Sequence, residues 1–188
     1  MNALGAKRGA EQPLPREFLW ACRRANVQLT RHLLLVSVRK QQLSVWETRR
    51  HCQPQLRRVY CASTSRLGTG QQSGSNQTPL GLHAVAEKVG TGWPIGTVFE
   101  SRQPVGFTWQ GRPDAGIAHR ILWLQGLEPG LNQGGAVDSH ARFIYIHGLG
   151  NEPSLGRPAS RGCIHLAAAD LMPLYDRVAT GTLVWVAR

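Results

Sequence analysis

Two short segments of this chain carry side chains that could do covalent chemistry together. Phe143-Ile144-Tyr145-Ile146-His147-Gly148 alternates like a strand and delivers a His at its end, beside a Gly. Sixteen positions after that His, Ser160-Arg161-Gly162-Cys163-Ile164-His165 presents a Cys preceded by Gly and Arg. Each half also has a bland reading, since a strand-end His is often only hydrogen-bonded in a polar pocket and a free Cys is often a small buried hydrophobe. Together they say more. The intervening Gly150, Pro153, Gly156 and Pro158 mark a loop able to fold the His back over the Cys. A thiol beside an imidazole is the minimal activated nucleophile: the imidazole takes the thiol proton and later returns it to a leaving amine. Gly162 permits a turn without a Cβ clash, so that main-chain N–H groups near the Cys can face a developing oxyanion, worth roughly 3–4 kcal/mol per donor. Arg161 adds a fixed positive charge that favours thiolate and can attract a substrate carboxylate.

The elements that must position these residues read as mainly β. A short helix is expected from Pro15 to about Val27, where Pro suits a helix start. Strands are expected at His32–Val38 and Leu43–Trp46, paired as a hairpin across a polar break, and then at Leu56–Ser63, Leu82–Val89, Thr97–Glu100, Ile117–Leu124, Phe143–His147 and Thr182–Ala187. Between them, Gly68 to Gly81 has the composition of a long polar surface loop, and it lacks the Gly-Lys-Ser/Thr ending of a phosphate-binding loop. A second helix is expected to start with Asp170 as its N-cap and Pro173 in its first turn, and to stop before Gly181.

Composition narrows the function. The formal net charge of +11 is unevenly placed: residues 1–66 carry 13 Lys/Arg against 3 Asp/Glu, and the rest of the chain is nearly balanced. The cations come as scattered pairs (Arg23-Arg24, Arg39-Lys40, Arg49-Arg50, Arg57-Arg58) without the interleaved aromatics or module signatures of nucleic-acid binding. No nucleic-acid partner is expected, although a basic module for an anionic surface stays open as an alternative of another class. Cys22, Cys52, Cys61 and Cys163 show no metal-site spacing. Cys22 and Cys61 read as core, and Cys52 with Cys61 as the pair that an oxidising compartment would join. Tyr145 and Trp123 read as core or cleft wall. His165, two residues beyond Cys163, reads as pocket-lining, with a rival base or a metal ligand as the alternatives. No run is apolar enough to span a bilayer, and the start around Lys7 and Arg8 does not read as a signal peptide.

His147-Gly148, the Gly/Pro-rich loop, Ser160-Arg161-Gly162-Cys163-Ile164, Asp170 with Leu174-Tyr175, and Gly181-Thr182-Leu183-Val184 resemble the L,D-transpeptidase (YkuD-type) catalytic domain. Ser63-Thr64-Ser65, Thr78-Pro79-Leu80-Gly81, Glu87-Lys88-Val89-Gly90 and Gly96-Thr97-Val98-Phe99 agree in order, so the resemblance covers about residues 31–188, leaving 1–30 as an N-terminal extension. It implies a β-sandwich or mixed-sheet domain with one or two short helices and no cofactor or metal. The implied roles are Cys163 as nucleophile and His147 as proton donor and acceptor, with the Gly148 carbonyl orienting His147. Ser160, Arg161, Gly162, His165 and Tyr145 would line the substrate pocket. It also implies peptidoglycan stem peptides as partners, a monomer, and work in the periplasm or cell envelope. Arg161 stands where His is frequent and Arg a familiar alternative, and His165 where Arg or Asn is more usual, so the resemblance does not carry over how the substrate carboxylate is held or which peptide is preferred. An L,D-carboxypeptidase using the same site with water as acceptor is the enzymatic alternative.

Overall fold

The computed structural model describes residues 13–188; the tail at 1–12, with Lys7 and Arg8, lies outside the described residues. The elements in chain order are α1 (Arg16–Arg24), β1 (His32–Ser37), β2 (Gln42–Arg49), β3 (Cys52–Ser63), β4 (Gly81–Val89), β5 (Thr97–Glu100), β6 (Gln103–Phe107), β7 (Ala118–Gly126), β8 (Tyr145–Gly148), β9 (Ile164–Leu166), α2 (Ala168–Arg177) and β10 (Leu183–Ala187). The sheet is mixed. Its order β4-β10-β1-β2-β3-β9-β8-β7 is closed by pairing of β7 back onto β4, so eight strands form a barrel-like ring. The β5–β6 hairpin hangs outside that ring, held to β7 by the Val98–Ala118 pair.

Why the strands take these faces follows from alternation. Leu34 and Val36 of β1, Val45 of β2, Leu122 and Leu124 of β7, Ile146 of β8, and Ile164 and Leu166 of β9 point inward, where Leu171, Leu174 and Tyr175 of α2 join them. Strand β1 reads as a continuous apolar run because its other face is buried too: Leu33 packs with Trp46, Leu82 and Leu183 against Phe18, Ala21 and Cys22 of α1. On β7 and β8 the outward residues Ile121, Trp123 and Tyr145 form a third cluster with Phe99, and Cys163 packs against it. Chemistry-bearing residues therefore sit on the outer wall of the barrel, while its inner wall is ordinary core.

Several expectations need correction. Strands β6 and β9 are additional, the latter inside the Cys motif itself. Cys61 is exposed, not core, because β3 turns Tyr60 and Ala62 inward and Val59 and Cys61 outward. Cys52 and Cys61 lie on that one strand, nine positions apart, both as exposed free thiols, so they are not a pair. Helix α2 starts at Ala168, with no side-chain cap from Asp170. The carboxylate of Glu152 accepts from the Ala168 N–H at 2.6 Å, and Pro173 lies beyond the first turn, inside the helix. Among the described residues no helix is long and apolar enough to cross a membrane.

Candidate active site

The parallel pairing of β8 with β9 sets the site. Ile146 lies opposite Ile164, and His147 opposite His165. Stepping back one residue from Ile164 puts Cys163 across from Tyr145. Residues i and i+2 of a strand share a face, and paired residues of neighbouring strands share one too, so Tyr145, His147, Cys163 and His165 form a two-by-two array on the outer wall. His147 is diagonal to Cys163 in that array. Its ring also meets His165 edge-on, centroids 4.7 Å apart.

Hydrogen bonding fixes the tautomer of His147. Its Nδ1 lies 2.8 Å from the Gly148 carbonyl oxygen, which can only accept, so Nδ1 carries the proton and Nε2 keeps the lone pair. Gly148 has no room for a side chain: a Cβ there would lie 2.6 Å from the His119 ring and 3.0 Å from the Ala118 carbonyl oxygen. His119 is held in turn by an N–H from Gly96 to its Nδ1 (2.8 Å) and by donation from Nε2 to the Leu149 carbonyl (2.8 Å). Sequence reasoning missed His119, which sits in a strand bulge at φ +71°, a placement that no local sequence pattern marks.

The turn before Cys163 is wired from both sides. Ser160 Oγ donates to the Cys163 carbonyl at 2.6 Å and accepts from the Gly162 N–H at 3.2 Å, so that N–H is already occupied. Gly162 adopts φ +119°, a conformation that a residue with a Cβ rarely takes. Thr78 Oγ1 donates to the Gly162 carbonyl at 3.0 Å and accepts from the Ser65 N–H. The polar loop at 68–81 thus buttresses the Cys163 turn. Arg142 pins this loop, donating to the carbonyls of Gly70, Gln71 and Gln77.

Electrostatically the array rests neutral. Cys163 is partly exposed and its thiol donates to the Phe143 carbonyl at 3.4 Å. Burial among apolar neighbours pushes the thiol up to about 11, against smaller lowering effects from a Tyr145 backbone hydrogen bond and from the charge of Arg142. The cation that acts on the sulfur is therefore Arg142, whereas Arg161 is exposed and lines a cavity of about 220 Å³ with Ser73, Asn76 and Phe143. Burial pushes His147 down to about 4, with the Gly148 bond opposing, and pushes His165 down to about 3, helped by the charge of His147. His165 Nδ1 is buried without a hydrogen-bond partner. Among the described residues no three His, Cys, Asp or Glu side chains converge as a metal-ligand set.

The neighbours of Tyr145 on the outer wall come from residues outside the sequence motifs. Trp123 packs edge-on to Tyr145 at 5.6 Å and stacks on His140 at 3.9 Å, while Arg102 lies over its ring at 4.4 Å.

The family model of the L,D-transpeptidase catalytic domain (YkuD) matches residues 31–186. Three solved structures are similar in fold. Bd1075 of Bdellovibrio bacteriovorus is 19% identical, over 85% of this chain and 48% of that one, with a TM-score of 0.54. The helical cell shape determining protein Pgp2 of Campylobacter jejuni is 18% identical, over 86% of this chain and 48% of that one, at 0.55. The LD transpeptidase LdtMt1, in complex with imipenem, is 17% identical, over 84% of this chain and 59% of that one, at 0.50. The chain spans about half the length of the first two. No curated protein matches it.

Proposed function

The chain belongs to the L,D-transpeptidase catalytic-domain family, and from that premise we propose that it transfers peptidoglycan stem peptides through a thioester on Cys163. The carrying observation is the outer face of β8–β9, where Cys163 lies diagonal to a His147 whose Nδ1 is committed to Gly148 and whose Nε2 is free.

In this reaction Cys163 Sγ attacks the amide carbonyl before the last D-residue of a tetrapeptide stem as His147 Nε2 takes the thiol proton. The C–N bond then breaks, the imidazolium gives its proton to the departing amine, and D-alanine leaves. A side-chain amine of diaminopimelate in a neighbouring stem attacks the thioester; its proton passes through Nε2, and the C–S bond breaks to restore the thiol. Ser160 and Gly162 hold the nucleophile turn in place. Tyr145 and His165 line the approach, while Arg161 lines the neighbouring cavity with Asn76 and Phe143. With water in place of the amine the same thioester yields an L,D-carboxypeptidase product. The substrate assigns the work to the cell envelope.

Intact-protein mass spectrometry after incubation with a tetrapeptide stem, or with imipenem, tests this. The expected result is one acyl adduct on Cys163, absent in Cys163→Ala. A wild-type chain that stays unmodified by both would overturn the proposal, and product analysis with and without an amine acceptor separates transpeptidation from hydrolysis.

A further inference from the structure

The tip of the β5–β6 hairpin is Ser101-Arg102, a two-residue turn between the paired Glu100 and Gln103. Both residues have positive φ, +47° and +68°, the mirror-image turn normally given to Asn-Gly. Neither residue is suited to it, so what the tip holds in place is informative. It holds a guanidinium over the site. The Arg102 carbon lies 4.4 Å from the Trp123 ring centroid and 5.3 Å from that of Phe143, and its Nη1 donates to the Tyr145 hydroxyl at 3.2 Å. The His140 imidazole stacks on Trp123 at 3.9 Å in a plane tilted 4°, and one ring face cannot hold both groups, so Trp123 is sandwiched between them. Glu87, the acid at this cluster, pairs with His140.

Among the described residues Arg102 makes no ion pair, and Tyr145 is its only hydrogen-bond partner. Most of a rigid five-donor fork is thus left over, oriented by two aromatic faces, beside the cluster that Cys163 packs against. Arg142 is different, since its donors are spent on Gly70, Gln71, Ser75 and Gln77. Arg161 lines the cavity with Asn76 and Phe143, whose lining does not include Arg102, Trp123 or Tyr145.

We propose that Arg102, with the Tyr145 hydroxyl, forms the subsite for the carboxylate that ends the donor stem peptide, an inference that rests on the acyl-transfer reading above. Tyr145 stands directly across the ladder from Cys163, about 5 Å away backbone to backbone. A terminal carboxylate is separated from the attacked carbonyl by only the nitrogen and Cα of one residue, whatever side chains the stem carries. It therefore falls within one side-chain length of the sulfur, where a planar fork can take it in bidentate fashion. The subsite makes the enzyme selective for donors that end one residue past the scissile bond.

The test measures acylation of Cys163 by one tetrapeptide stem in two forms, free acid and C-terminal amide, in wild type, Arg102→Ala, Arg102→Lys and Arg161→Ala. Wild type should prefer the acid by about tenfold to a hundredfold in kcat/KM, the range of one charge-assisted pair. Arg102→Ala should abolish the preference by slowing the acid alone, Arg102→Lys should restore part of it, and Arg161→Ala should keep it. Alkylation of Cys163 by iodoacetamide should be the same in all four, which shows that the site is intact. A preference that survives Arg102→Ala, a parallel loss for both donors, or collapse in Arg161→Ala would overturn the subsite. So would a loss that instead tracks amidation of the diaminopimelate side-chain carboxylate. Failure of the underlying reading looks different, because wild type would then form no adduct with either donor or with imipenem.

Discussion

A thiol beside an imidazole can rest either as a thiolate–imidazolium pair or as two neutral groups, and this site is built for the second. Burial raises the Cys163 thiol from 9.0 to about 11 and lowers His147 to about 4. At pH 7 a thiol of pKa about 11 is ionised in about one molecule in ten thousand, against about one in a hundred at the ordinary value, so thiolate chemistry should run about a hundredfold slower than for free cysteine. The assay is alkylation by iodoacetamide from pH 6 to 10, in a Cys52→Ser, Cys61→Ser background that removes the two exposed thiols, with adducts mapped by peptide mass spectrometry. The log of the rate at Cys163 should climb with unit slope through pH 9 and show no plateau. His147→Ala should leave that profile in place while abolishing acylation by stem peptide, because the imidazole serves as a base only when a carbonyl is present to be attacked. A rate that levels off below pH 8 in wild type, and loses its plateau in His147→Ala, would refute the reasoning and establish a preformed ion pair.

Gly162→Ala forces a Cβ into φ +119° and within 3.3 Å of the Gln77 carbonyl oxygen and Ile144 Cδ1; it should cost about 1–3 kcal/mol, several degrees in Tm, and slow acylation more than tenfold. Unchanged melting and unchanged acylation would show that the turn does not need its glycine. Acid should unfold the chain through its buried imidazoles. His83 and His147 have folded values of about 4 against 6.5, so each contributes stability that is complete above pH 6.5 and lost as pH falls through 4, on the order of 3 kcal/mol each. Urea midpoints followed from pH 7.5 to 4 should drop over that window, and His83→Gln, able to bond Gly81 and Ser139 without titrating, should flatten the drop.

The parts of the site that were legible in the sequence are those whose signal is local. A His at the end of an alternating strand and a Gly-Cys sixteen residues on can be read within single windows, and the structure puts both on one face. What could not be read depends on partners far along the chain. The cap of α2 comes from Glu152, sixteen residues before the Ala168 it serves, while Asp170 looks like a better local cap than Ala167. Cys61 was misplaced because Val59-Tyr60-Cys61-Ala62 is apolar on both faces, and such a strand does not reveal which face turns inward. Strand β6 hides behind Pro104 and Gly106, tolerable only because β6 ends the sheet order, and β9 is three residues inside a motif already assigned to chemistry. Arg102 and Arg142 look like ordinary solvated charge until the hairpin folds over Trp123 and the loop closes over the turn.

Placing the array on paired strands has an energetic consequence. Tyr145, His147, Cys163 and His165 stand where the ladder puts them, and the same alternation sends Ile146, Ile164 and Leu166 into the barrel, so a one-residue slip of β9 would bury the thiol and expose core. Register selection by the core thus also selects the placement of Cys163 beside His147. Burial makes the imidazolium of His147 costly, and His165 across the ladder, itself held neutral, offers it no anion. In the proposed reaction that cost shortens the lifetime of the protonated base and favours handing the proton on to the departing nitrogen, because the sulfur is by then bonded to carbon and only weakly basic. The depressed value of His147 disfavours a resting ion pair and makes the imidazolium, once formed, a stronger acid toward the leaving group.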